Sequence, residues 1–186
     1  MKTRSTILPA ITVSILFLVL SGAMIAQDNS AIGDSPFLRR MQSTPAASTK
    51  KMSDKDVQFI SRVAGHNESE IAYGKMAESK AQSAAVKRIA AQLVNDHTRM
   101  NKDLVALGEK KGLKLNPGAT KAEAISGNFD KSYLQMVETE QQDRIAEFQK
   151  AAASANDSDL RAWAARNLPT LKAHLAMVRD ASKGVK

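Results

Sequence analysis

The sequence predicts an all-α fold, an up-down-up-down bundle of four helices, and three observations carry that prediction. Apolar residues recur in steps of three and four over four long segments, the spacing that aligns them on one face of an α-helix. Aromatic residues make up only 4% of the chain and there are no cysteines, so neither a β core nor a disulfide framework is expected. Helix-capping residues and glycine punctuate the segments where one would end and the next begin. No internal sequence repeat stands out beyond the rhythm of helix pairs.

The first residues read as a secretory signal over 1–26. Lys2 and Arg4 precede an apolar run from Ile11 to Leu20, followed by small residues at Ser21, Gly22, Ala23 and Ala26. Cleavage is expected after Ala23 or Ala26, with an uncleaved N-terminal anchor as the alternative. Leu20-Ser21-Gly22-Ala23 has the shape of a lipoprotein cleavage box with alanine in place of the cysteine, so no lipid anchor is expected. Removing 1–26 takes away two basic residues and no acidic one, which leaves +6 of the net charge of +8. That balance suits weak association with an anionic envelope surface. Nucleic acid is not an expected partner, because no basic cluster is interleaved with aromatics.

Residues 27–52, rich in Ser, Thr, Ala and Pro, are expected to be a flexible linker, with the folded domain at 53–184. Ser53 and Asp56 have capping-box spacing, and the first seam runs Val57, Ile60, Ala64, Asn67, Ile71 and Gly74. Gly74 lets a neighbouring helix approach closely. Ser83 caps the second helix, whose seam is Val86, Ala90, Leu93, His97, Met100, Leu104 and Leu107, closed by Lys110-Lys111-Gly112. Thr120 and Glu123 suggest a short helical turn. The third helix opens at Asn128, with the seam Leu134, Val137, Gln141, Ile145, Phe148 and Ala152. Asn156 is the expected cap of the fourth, with the seam Leu160, Ala164, Asn167, Leu171, His174 and Val178. Pro169 falls inside that helix and should bend it.

Every seam is broken by a polar residue: Asn67, His97, Gln141, Asn167 and His174. Counted from the helix ends at ~1.5 Å per residue, Asn67, His97 and Gln141 fall within roughly one turn of each other and His174 about one turn lower, so the four helices converge on one polar layer with Glu70 and Glu140 at its rim. Two explanations compete for this polar layer. It is a hydrogen-bonded network that fixes helix register, or a metal site with His97, His174, Glu70 and Glu140 as ligands for Fe, Mn, Cu or Zn. A ferritin-type di-iron centre needs Glu-x-x-His on two helices, and the residues three before His97 and His174 are Val94 and Leu171. No serine elbow, phosphate loop or His-Glu-x-x-His is present, so the chain is read as non-enzymatic.

Residues 56–180 resemble a bacterial ferritin-like family of unknown function, often labelled as an outer membrane protein. Four motifs carry the resemblance: Glu70-Ile71-Ala72-Tyr73-Gly74; Gln92-Leu93-Val94-Asn95-Asp96-His97-Thr98 with Asn101 and Leu104; Phe129-Asp130-Lys131-Ser132-Tyr133-Leu134; and Leu168-Pro169-Thr170-Leu171 with His174-Leu175. The resemblance implies a four-helix, ferritin-like domain in the cell envelope. Many members carry histidine where this chain has Gln141. No established activity comes with the resemblance.

Overall fold

The computed structural model describes residues 51–118 and 120–185. The expected signal sequence and all but the last two residues of the linker lie outside the described residues. Four helices follow: α1 Asp54–Lys80, α2 Ala84–Lys110, α3 Phe129–Ser154 and α4 Ser158–Ser182. Among the described residues there is no strand. Ser53, Ser83 and Asn128 cap α1, α2 and α3, each accepting from a backbone N–H in the first turn. At α4 the cap is Asp157 rather than Asn156, its carboxylate accepting from the N–H groups of Asp159 and Leu160 at 2.9 and 3.0 Å. Gly112 takes the left-handed conformation (φ 74°) just beyond α2, where a side chain would be strained. The expected helical turn at Thr120 to Glu123 does not form. Pro169 remains inside α4, as the uninterrupted seam predicts.

The helix directions correct the simple alternation. The Asp56 carboxylate, in the first turn of α1, accepts from the backbone N–H groups of Asn156 and Asp157, between α3 and α4. Lys111, at the end of α2, pairs with Asp157 and Asp159 at 2.8 and 2.6 Å. The start of α1, the end of α2 and the α3–α4 turn therefore share one end of the bundle. At the other end, the Asp130 carboxylate in the first turn of α3 accepts from Gln82 and Ser83 of the α1–α2 turn. The order is thus up-down-down-up. Residues 111–128 return along helices about 40 Å long, the single long crossover of the ferritin-like arrangement. Pro117, Gly118 and the other residues of this segment carry no apolar period from which its path is legible.

The two hairpins repeat each other. Asp56 and Asp130, Gln82 and Asn156, and Ser83 and Asp157 each stand 74 positions apart and make the same bonds to opposite turns. The same offset pairs buried Ile60 with Leu134, Val63 with Val137, Val86 with Leu160, and Ala90 with Ala164. It also relates the two apolar clusters. One, at the α3–α4 turn, holds Phe59, Ile60, Val63, Ile89's counterpart Trp163 and Leu160; the other, at the α1–α2 turn, holds Tyr133, Leu134, Val137, Ile89 and Val86. The polar layer lies between them.

Within each hairpin the helices pack along their length, and the hairpins meet chiefly where α2 crosses α4. Gly74 faces α2: a Cβ there would stand 2.5 Å from Val94 Cγ2 and 3.3 Å from the Ala90 carbonyl oxygen. The close approach expected from the missing side chain is real.

Candidate functional site

Each helix contributes a buried polar side chain at mid-height. Asn67 of α1, His97 of α2, Gln141 of α3 and His174 of α4 are all at most 3% exposed. The layer survives the change in helix direction because these residues lie near helix midpoints, which are the same height counted from either end.

The layer resolves into two groups. In the first, His97 Nδ1 lies 3.0 Å from Asn67 Oδ1, and His174 Nε2 lies 2.9 Å from Asp96 Oδ2. The imidazole centroids are 5.4 Å apart. Because an amide oxygen only accepts, the proton of neutral His97 sits on Nδ1. Its Nε2 and the His174 Nδ1 are buried without a hydrogen-bond partner. Burial first, then the neighbouring His174, push the His97 pKa down to about 3. Burial likewise lowers His174, against the opposing pull of Asp96. Both rings are therefore neutral at neutral pH.

Asp96 is the residue the seam did not flag. Burial raises its pKa, but the hydrogen bonds from His174 and Gln92 and the nearby Arg99 outweigh that and hold it low. Gln92 donates to it at 2.7 Å and Arg99 closes over it from solvent. The steps from Leu93 to Asp96 to Met100 are three and four, so Asp96 lies on the edge of the apolar stripe that faces α4. That spacing was the available signal.

The second group is carboxylic. Gln141 Nε2 donates to Glu70 Oε1 at 3.1 Å. Burial, then Glu140, raise Glu70 well above the ordinary carboxylate range, and burial raises Glu140, which shares a hydrogen bond with it. Tyr133 lies close enough that, after burial, the Glu70 and Glu140 charges are what lift its pKa.

The expected metal set is thus not gathered as four. Glu70 and Glu140 engage each other and Gln141, while the histidines engage Asn67, Asp96 and one another. Among the described residues no group of three or more His, Asp or Glu side chains is placed to hold a metal ion. Asn167, expected in the layer, is half-buried and donates to the Trp163 carbonyl at 2.9 Å, a bond within its own helix. His66, the third histidine, is half-buried, its pKa lowered by burial and then by Arg144. A di-iron centre does not fit these residues, since neither histidine has a glutamate a turn before it on its helix.

Fold and layer together define an all-α, ferritin-like four-helix domain with a divided polar core. The chain belongs to the family described as "Domain of unknown function (DUF4142)", which it matches over residues 41–181. In structure it is similar to the DUF305 fragment from Deinococcus radiodurans, with a TM-score of 0.60 and 12% identity, over 71% of this chain and 97% of that one. At that identity the likeness speaks for the fold alone. No curated protein matches the chain.

Proposed function

We propose that the protein is an exported, non-enzymatic bundle of the cell envelope, periplasmic or secreted, whose polar layer serves mainly to hold four helices in register. One observation supports the layer's role above the others: Asn67 bonds α1 to α2, Gln141 bonds α3 to α1, and Asp96 bonds α2 to α4. An apolar core of alanine, leucine and valine alone permits sliding between helices, whereas paired buried polar groups are satisfied in one register only. Export is supported by the basic, apolar and small-residue order of residues 1–26. No helix among the described residues is long and apolar enough to cross a membrane. The net charge of +6 left after residues 1–26 supports peripheral attachment to anionic envelope polymers.

Expressed from its own start codon, the chain should be recovered from the periplasm or medium beginning at Met24 or Gln27, by intact mass. After chelation it should still melt cooperatively. Full-length chain confined to the cytosol would refute export, and an unfolded chelated protein would refute a layer that needs no metal. The free imidazole nitrogens favour a second role, a metal-binding or redox-linked bundle using His97 and His174.

A further inference from the structure

The 74-residue repeat supplies an internal control for the histidines. Position 97 corresponds to Leu171, and position 174 corresponds to Met100. The contact between His97 and His174 across α2 and α4 therefore has a counterpart, Met100 with Leu171, in the other half of the same crossing. Met100 and Leu171 are 2% and 0% exposed and belong to the apolar cluster at the α3–α4 turn. His97 and His174, each 1% exposed, fill the matching places beside the other cluster. One architecture thus contains both an apolar pair and an imidazole pair at equivalent positions. Packing at this crossing does not require histidine.

What distinguishes the histidine pair is its chemistry. Each ring has one nitrogen oriented by a buried partner, Asn67 or Asp96, and one nitrogen left without a partner. A carboxylate or carbonyl on the far nitrogen is how proteins fix and strengthen an imidazole ligand. The counterparts of these two partners at the same offset are Gln141, which donates to Glu70 instead, and Thr170. An apolar pair carries no ring nitrogen to bury unpaired, and the two unpaired nitrogens held here are a cost that packing alone does not explain.

We propose that His97 and His174 form a binding site for one late first-row transition-metal ion, with both imidazoles as ligands and Asn67 and Asp96 as orienting residues. The site rests on the metal-binding role named above and narrows it: Glu70 and Glu140 are not ligands. The free atoms, His97 Nε2 and His174 Nδ1, are the donors. Neutral rings, as burial makes them, are the form that binds metal. The remaining coordination positions go to water or a small exogenous ligand, since two protein donors do not complete a shell.

The test uses the mature chain, stripped with chelator and melted with one equivalent of Zn²⁺, Co²⁺ or Cu⁺, beside three variants. The wild type should gain about 5 °C or more with at least one ion, and Co²⁺ should develop visible absorption. His97→Leu combined with His174→Met copies the counterpart pair. It should melt cooperatively and show neither change. Asp96→Asn should weaken binding roughly 10- to 100-fold, and Glu70→Gln should leave it within about twofold. A response that survives in the copied pair, or that needs Glu70 as well, overturns the two-imidazole site while leaving a wider metal site standing. No response with any ion overturns the metal-binding role itself. A copied pair that does not fold overturns the inference that packing can dispense with the histidines.

Discussion

Acid should weaken this bundle through His97, and a single substitution should remove that weakness. In the folded chain the imidazole binds a proton only at about pH 3, because burial disfavours the charged ring. In the unfolded chain it binds one near pH 6.5. Between these values the unfolded state holds the extra proton, so stability is full above pH 6.5 and is lost as pH falls towards the folded value. From pH 8 to pH 5 the loss through this one group is about 2 kcal/mol, at ~1.4 kcal/mol per unit once the unfolded ring is fully protonated. With a urea dependence of about 2 kcal/mol/M, the unfolding midpoint should fall by roughly 1 M. His97→Leu places at position 97 the residue its counterpart, Leu171, already has, and should cut that fall by about 2 kcal/mol. The assay is urea unfolding followed by circular dichroism at pH 8, 6.5 and 5, in chelator, for both proteins. His174 loses stability in the same direction and remains in both, so the difference between them reports His97 together with its coupling to His174. Glu70, raised by burial and Glu140, has the opposite sign: its contribution is present at low pH and is lost as pH rises through its folded pKa. Equal acid losses in the two proteins would refute the assignment of a buried, neutral His97.

Three further substitutions test the packing and the repeat. Gly74→Ala would drive a methyl group to 2.5 Å from Val94 Cγ2, and should cost about 1–3 kcal/mol in thermal unfolding despite alanine's better helix propensity; a melting point at or above wild type would show that α1 and α2 do not meet closely here. Asp56→Ala and Asp130→Ala each strip two backbone N–H groups of a carboxylate partner at opposite ends of the bundle. Each should cost about 1.5–3 kcal/mol, and the double variant should show their sum within about 0.5 kcal/mol.

Much of the molecule was legible in the chain because it is local. A helix is written in the three-and-four recurrence of Val86, Ala90 and Leu93, and its start in a side chain such as Ser53 or Asn128 that reaches its own first turn. The level of the polar layer was legible too, since Asn67, His97 and Gln141 sit near the middle of their helices whichever way those helices run. Asn156 lost the cap to its neighbour Asp157 because one residue's shift changes which side chain reaches the first turn, a distinction finer than a seam resolves.

Helix direction was decided only by tertiary structure. Residues 111–128 carry no period that tells a short turn from a full-length return, and it is the bonds from Asp56 and Asp130 to distant turns that settle the matter. Partner choice within the layer is decided in the same way. Glu70 and His97 both point inward, but which of them meets Gln141 and which meets Asn67 depends on the relative rotation of four helices. The repeat stayed hidden for the same reason: it preserves the capping bonds and much of the buried pattern while changing most residues. The sequence by itself therefore determined where the chain is helical and at what height its buried polar groups lie, because periodicity and capping act within a few residues. Only the packed bundle determined that the histidines stand together and apart from the glutamates, because that separation arises from contacts between residues as much as 78 positions apart.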